Sequence, residues 1–282
     1  MDTYYVDGDY VDDEKAMISV KDIIVLRGFG IFDFMITYNK RPFYLNDHVR
    51  RFENSAMAIG LKLNYSGQEI CEIVKRTIEK NPHHDESSVR IVHSGGVSLD
   101  GVTPEGNGIL MVMVTPKKCP PAWWYQKGAS IITVEMERCL PVAKSTNYLS
   151  AVFAQQQARK VGAVEAVYVD RSNRVLEGTT SNIFCFKGST LITPSDDILD
   201  GITRKVVLNK IAGNFDLEMR DIDFSELMGM DEIFLSSSNK EILPVVRVND
   251  MTIGSGEPGA GTKKIMQLFR DYTQAWGRGE VA

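Results

Sequence analysis

The sequence has little cysteine and no segment dominated by one kind of residue. Its four cysteines, Cys71, Cys119, Cys139 and Cys185, lie far apart and form no C-x-x-C pair. That spacing builds no cysteine zinc site and suits reduced thiols of the cytosol, so no metal is expected. No apolar run has the length of a membrane span, and the acidic opening "MDTYYVDGDYVDDEK" lacks the apolar stretch of a signal peptide. A cytoplasmic location is the expectation. There is no internal repeat and no low-complexity tract. Lysine and arginine number 32 against 37 acidic residues, a net charge of −5 with no basic stripe. This argues against nucleic acid or an anionic membrane as the main partner. What remains is a chain of 282 residues, 43% hydrophobic, long enough for one large domain or two moderate ones.

The first part of the chain alternates hairpins and single helices. "TYYVDGDYV" reads as two strands around Asp7-Gly8, a type I′ signal, and "GIFDFMITYNKRPFYL" as two more joined near Asn39-Lys40. In "NDHVRRFENSAMAIGL", Val49, Phe52, Met57 and Leu61 fall at roughly helical spacing, with Asn46 or Asp47 as the cap. "SGQEICEIVKRTIEK" is a second amphipathic helix capped by Ser66, and "SVRIVHSG" and "GILMVMVT" are strands. The proline-rich "PKKCPPAWWYQKG" then marks a domain boundary. Beyond it come strands mixed with helices over 148–162 and from Ile202 to about Ala212, and a last helix near Gly261. The expected class is α+β. A small N-terminal domain spans 1–116, a linker 117–127, and a larger domain 128–282 holds a mixed sheet or barrel rather than a βαβ repeat.

One lysine stands apart. In "LPVAKSTNYLSAV", Lys144 follows small apolar residues and has no other charge within five positions. Desolvation lowers a lysine pKa, and an amine so prepared attacks aldehydes, that of pyridoxal 5′-phosphate (PLP) included. A protein that holds PLP also needs a phosphate cradle, a carboxylate for the pyridine nitrogen and a grip on the substrate carboxylate. Cradle candidates are "LDGITRK", where Gly201 opens a helix with Ile202 and Thr203 in its first turn, and the hydroxyl run "SSS" at 236–238. Arg51 adds a positive charge, and Glu177 in "RVLEGTTSNIF" is the carboxylate candidate. Taken singly, each also fits an ordinary cap, a polar loop, a solvated arginine or a hairpin glutamate.

Together, "H-x-x-R-F-x-x-S-A", "P-x-x-K-S-x-N-Y", "E-x-x-x-S-N-I-F", "L-x-G-I-T-R" and "D-E-I-F", in this order, resemble the class IV aminotransferases of fold type IV. The similarity runs from "DGDYV" to "GAGTKKI", nearly the whole chain. It implies a small α/β domain, a linker and a larger pseudo-barrel domain, usually in a homodimer. It implies that Lys144 holds PLP as a Schiff base and shuttles a proton, with Tyr148 near the ring and Glu177 on the pyridine nitrogen. Arg51, Ile202, Thr203 and Ser238 would bind the phosphate, with Ser237 beside them. Amino acid and 2-oxo acid would react by a ping-pong mechanism.

Departures from the family pattern bear on the substrate. Branched-chain enzymes commonly read "F-E-G-I-R" where this chain has "FDFMI", and the R-x-H pair of many D-amino acid transaminases is absent from "SGGVSLDGVTPEG". Arg27, with Arg90 and the backbone of the "SGG" loop, resembles a substitute carboxylate trap. "LRGFGIFD" and "GGVSLDGVTP" resemble a divergent group of D-amino acid transaminases. A D-amino acid such as D-alanine or D-glutamate is therefore the favoured substrate. A branched-chain L-amino acid aminotransferase, an aminodeoxychorismate lyase and a non-catalytic PLP-binding protein are the rivals. His93 either lines the pocket or is structural.

Overall fold

The computed structural model describes residues 1–281 and divides into two compact units. The smaller comprises Met1–Lys118, Val142–Tyr148 and the residues from Gln274 on; the larger comprises Cys119–Pro141 and Leu149–Thr273.

In the smaller unit, β1 (Thr3–Val6), β2 (Asp9–Asp12), β3 (Gly30–Tyr38), β4 (Arg41–Pro42), β5 (Ser87–Ser94) and β6 (Leu110–Pro116) form one sheet in the order β2-β1-β6-β5-β3-β4. Both hairpins have the backbone their turn residues demand: Asp7 and Gly8 have φ of 45° and 110°, and Asn39 and Lys40 have φ of 51° and 61°. A short helix, α1 (Ile23–Arg27), precedes β3; the Asp22 side chain caps it by accepting from the Ile24 N–H at 2.9 Å. Helices α2 (Leu45–Ala58) and α3 (Gly67–Glu79) cover one sheet face. Ile31, Met35, Val89, Ile91 and Val112 meet Val49, Phe52, Ile70 and Val74 there, each about 1.5–3 kcal/mol of burial. Met57, expected on the apolar stripe, is 71% exposed, and Leu61 is buried beyond the end of the helix. Ser66 caps α3 in a full capping box with Glu69. The cap of α2 is neither Asn46 nor Asp47. Tyr44 takes that place in the left-handed region (φ 49°, ψ 41°), without a side-chain cap, because Tyr44 stacks on Trp276 at 4.7 Å and the chain turns there for packing.

In the larger unit, α4 (Ala122–Lys127) lies in the segment read as a linker, and its flank Trp124 and Tyr125 pack on the unit's core. Nine strands follow: β7 (Ala129–Glu135), β8 (Glu165–Val169), β9 (Val175–Gly178), β10 (Asn182–Lys187), β11 (Thr190–Thr193), β12 (Asp216–Met219), β13 (Glu232–Ser237), β14 (Glu241–Val248) and β15 (Met251–Thr252). Six of them, in the order β10-β13-β14-β7-β8-β9, close into a ring because β9 pairs back onto β10 through Glu177 and Asn182. Pairing is parallel at β14–β7 and β7–β8 and antiparallel elsewhere in the ring, so the barrel is mixed. Ile131, Val167, Ile183, Leu235 and Leu243 fill its core. Besides α4, the helices that follow are α5 (Leu149–Lys160), α6 (Ile202–Val206), α7 (Phe224–Leu227) and α8 (Ala260–Arg278), the last of which ends in the smaller unit from Gln274 on. The helix expected to run evenly to Ala212 is α-helical only to Val206; Val207–Ile211 widens into a π turn.

Candidate active site

The lysine segment is fixed in the smaller unit by hydrogen bonds along its length. The Thr146 hydroxyl donates to Gly28 O at 2.7 Å, and its N–H donates to Gly30 O at 2.9 Å. The Phe32 N–H donates to Lys144 O at 2.9 Å, and the Lys144 N–H donates to the Ser55 hydroxyl at 3.0 Å. Residues 144–146 thus run as an added antiparallel strand beside the start of β3, with a bridge at Ile31–Ser145. Close approach requires glycine here. Gly28 has φ +66° as the C-cap of α1, and a Cβ on Gly30 would lie 2.8 Å from both His93 O and Ile24 Cδ1.

This strand sets Lys144 over an aromatic floor. Its Nζ lies 4.7 Å from the centre of the Phe32 ring, and Tyr148 meets the same ring edge-on at 5.3 Å. The Arg90 guanidinium lies 5.5 Å from Phe32 and 5.6 Å from Phe34, its cross-strand partner. Lys144, Tyr148 and Arg90 therefore share one ring, which lowers the electrostatic cost of two neighbouring cations. Arg27 is exposed at the end of α1 and donates to Leu26 O at 2.9 Å; its described contacts do not reach the Phe32 ring.

On the opposite face of β3, Asp33 is fully buried. It accepts from Arg51 Nε at 2.9 Å, Arg51 Nη2 at 2.8 Å and His48 Nδ1 at 2.7 Å. Burial alone would raise its pKa; the Arg51 and His48 charges and hydrogen bonds outweigh that and hold it well below the usual carboxylate range. Burial holds His48 low, Asp33 opposes this, and Arg51 and Lys144 add to the lowering. Asp33 thereby fixes the direction of Arg51. A charge inside the apolar run "GIFDFMI" was the available signal, because an inward carboxylate needs partners. His93 lies in the core, and both its ring nitrogens are buried without a hydrogen-bond partner among the described residues.

In the larger unit, Glu177 is 4% exposed. Its Oε1 accepts from Arg138 Nη1 at 2.8 Å and its Oε2 from the Leu199 N–H at 3.0 Å. Arg138 was not foreseen, since 39 positions separate it from Glu177. Asn182 sits between Glu177 and Ser236 in the sheet, and its Nδ2 donates to Leu199 O at 2.8 Å. Its Oδ1 is where a Cβ on Gly201 would come, at 2.0 Å.

The remaining features of this unit fit a phosphate-bearing cofactor. Gly201 gives α6 no side-chain cap, so the first-turn N–H groups of the buried Ile202 and Thr203 have no cap from that residue. The Ser236 hydroxyl is buried with no partner among the described residues. Ser237 donates to Asn239 Oδ1 at 3.0 Å and accepts from the Lys240 N–H at 3.3 Å. Ser238, next along, is half-buried. An unsatisfied hydroxyl and an uncapped helix start are what an anion satisfies.

Residues 30–248 match the family model described as amino-transferase class IV. A D-alanine aminotransferase of Staphylococcus aureus (strain N315) is 31% identical over 98% of this chain and 99% of its own. A Methanocaldococcus jannaschii protein, provisionally named a branched-chain-amino-acid aminotransferase, is 32% identical over 97% of each. The solved branched-chain amino acid aminotransferase of Escherichia coli superposes with a TM-score of 0.91 at 25% identity, over 97% of this chain and 95% of that one. The T.th. branched-chain amino acid aminotransferase, solved with pyridoxamine 5′-phosphate, gives 0.92 at 25% identity, over 97% and 94%.

Proposed function

Because the chain belongs to the class IV aminotransferases, we propose that it is a PLP-dependent transaminase that moves the amino group of a D-amino acid, such as D-alanine or D-glutamate, to a 2-oxo acid. The observation that carries the reading is the lysine strand: four hydrogen bonds along residues 144–146 hold Lys144 while its amine stays over the Phe32 ring. When bound, PLP supplies a carbonyl for the amine and a ring that takes up the electron pair left on the substrate carbon.

The chain's own residues do the rest. Lys144 is the covalent tether and the base that carries the proton from the substrate carbon, since its amine is the one on the aromatic floor. Glu177 would pair with the pyridine nitrogen and keep its proton in place, while Arg138 and the Leu199 N–H hold the carboxylate still. Arg51, aimed by Asp33, would hold the phosphate, as would the N–H groups of Ile202 and Thr203 and the hydroxyls of Ser237 and Ser238. Tyr148 lines the cofactor ring beside Phe32.

Arg90 is placed to take the substrate carboxylate, because it shares the Phe32 ring with the Lys144 amine. Arg27, the other arginine of the trap expected from sequence, is exposed at the end of α1 and does not reach that ring among the described contacts. Relatives bear both D-alanine and branched-chain names; the D-amino acid reading rests on Arg90 and on the departures from both familiar carboxylate traps. Exposed apolar side chains, Leu99 at 93%, Leu149 at 73% and Phe153 at 59%, support a homodimer. Among the described residues, no helix is long and apolar enough to cross a membrane.

The test is the visible spectrum of PLP-loaded protein mixed with single amino acids. D-alanine or D-glutamate should bleach the cofactor band, and L-leucine should not. Arg90→Met should raise the KM for the D-amino acid about 10–100-fold, the loss of one charged hydrogen bond. Bleaching by L-leucine alone would return the branched-chain reading. Bleaching by none, with turnover of aminodeoxychorismate, would make the chain a lyase.

A further inference from the structure

The smaller unit holds a second group of ligating side chains that transamination does not use. Asp2, His83 and His84 bring one carboxylate oxygen and two imidazole nitrogens within 4.8 Å of one another. Asp2 Oδ1 lies 3.0 Å from His83 Nε2 and 2.9 Å from His84 Nε2. Two imidazole nitrogens therefore converge on a single oxygen.

The fold builds this convergence. Asn81, 2% exposed, accepts from the Thr3 N–H and donates to Thr3 O, both at 2.8 Å. That clamp fixes the residue after Asp2 to the turn before His83. The Asp13 N–H donates to Asp2 O at 2.9 Å and holds the other side. The His84 ring is buried, and its Nδ1 lies 3.1 Å from the Ser87 hydroxyl. Ser87 is itself held, its N–H donating to the Thr37 hydroxyl at 2.8 Å. A serine hydroxyl donates or accepts. It therefore serves His84 whether Nδ1 is bare or carries the proton displaced from Nε2, which is how an outer hydrogen bond orients a metal-binding imidazole.

We infer that Asp2, His83 and His84 form a site for one divalent transition-metal ion of the zinc type. Two imidazoles and a carboxylate are a borderline donor set suited to such ions, with a fourth position for water. Bonds of about 2.0–2.1 Å in a tetrahedron set neighbouring donors about 3.3 Å apart. The two donor contacts to Asp2, at 2.9 and 3.0 Å, need open by only a few tenths of an ångström. His83, with its side chain 48% exposed, gives the ion a way in. The ion would cross-link the N-terminal strand to a turn about eighty residues away, so its effect is on stability rather than on the reaction. Cysteine spacing led the sequence reading to expect no metal; Asp2 and His83 here are separated by 81 positions and become neighbours only in the fold.

Purified, tag-free protein titrated calorimetrically with Zn²⁺ at about pH 7.5 should take up one ion per chain and melt a few degrees higher. Co²⁺ in its place should give weak visible bands without a near-ultraviolet thiolate band, which separates this site from the exposed Cys119 and Cys139. His83→Ala and Asp2→Asn, both outside the buried core, should each weaken binding at least tenfold and leave transamination unchanged. No bound ion, binding retained in both variants, or a cobalt spectrum with the thiolate band would overturn the inference.

Discussion

Two buried carboxylates of this chain are each partnered by an arginine, and they are built for different work. Asp33 has no exposure and accepts four hydrogen bonds, two from Arg51, one from His48 and one from the Phe34 N–H. A carboxylate accepts about four hydrogen bonds. Asp33 is therefore close to saturated by its own protein and serves to aim Arg51. Glu177 keeps 4% exposure and is oriented by Arg138 on one oxygen and the Leu199 N–H on the other. It stands at the pairing that closes the barrel, two strand neighbours from the buried Ser236 hydroxyl. Under the proposed function, the same residue chemistry is structural where charged side chains enclose it and serves the cofactor where it stands near the buried Ser236 hydroxyl.

The comparison breaks first at Asp33. Asp33→Asn leaves Arg51 and His48 without their counter-charge and should cost about 3 kcal/mol, the lower end for breaking a buried pair because Arg51 is 11% exposed. Urea unfolding measures this, and the folded variant should keep most of its kcat. A kcat lowered a hundredfold in the folded variant would move Asp33 into the chemistry. Glu177→Gln should do the reverse. It keeps the shape and the Leu199 contact, lowers kcat by about 10²–10³-fold, as removal of one placed electrostatic partner does, and changes stability less than Asp33→Asn. A kcat near wild type would remove Glu177 from the site.

A smaller effect separates the two regions by pH. Asp33 has a folded pKa below its unfolded value, so its stabilisation is present above about pH 3.9 and is lost as pH falls below that. Burial lowers the pKa of His48 and of His93, so their contribution is present above about pH 6.5 and is lost as pH falls below it. The urea midpoint should decline in two stages on acidification. Asp33→Asn should flatten the stage below about pH 4 and leave the upper one, altered in so far as His48 loses its partner.

Much of this was legible in the sequence where the cause is local. The Ser66–Glu69 capping box, the two hairpins and α6 follow from residues within four positions of one another. What could not be read depends on distant partners. Tyr44 starts α2 because Trp276 stacks on it, more than two hundred positions later. The barrel closes through one pairing, Glu177 with Asn182, that no periodicity announces. In the site, Lys144 and Glu177 stood out by their motifs; His48 and Asp33 stand inside the motifs "H-x-x-R-F-x-x-S-A" and "LRGFGIFD" but were given no role, because a motif does not say which residue holds which, and Arg138, 39 positions from Glu177, lies in none. Arg27 and Arg90 were paired on sequence; in the fold only Arg90 reaches the Phe32 ring among the described contacts.

The central claim is that Lys144 is the residue that carries the cofactor. Borohydride reduction of the PLP-loaded protein, followed by peptide mass analysis, tests it directly. The account predicts a single pyridoxyl group on Lys144, in the peptide containing "STNYLSAVFAQQQAR". The same group on Lys240, a buried lysine that donates to the Thr180 hydroxyl and pairs with Glu165, both at 2.8 Å, or no modified lysine at all, would contradict it.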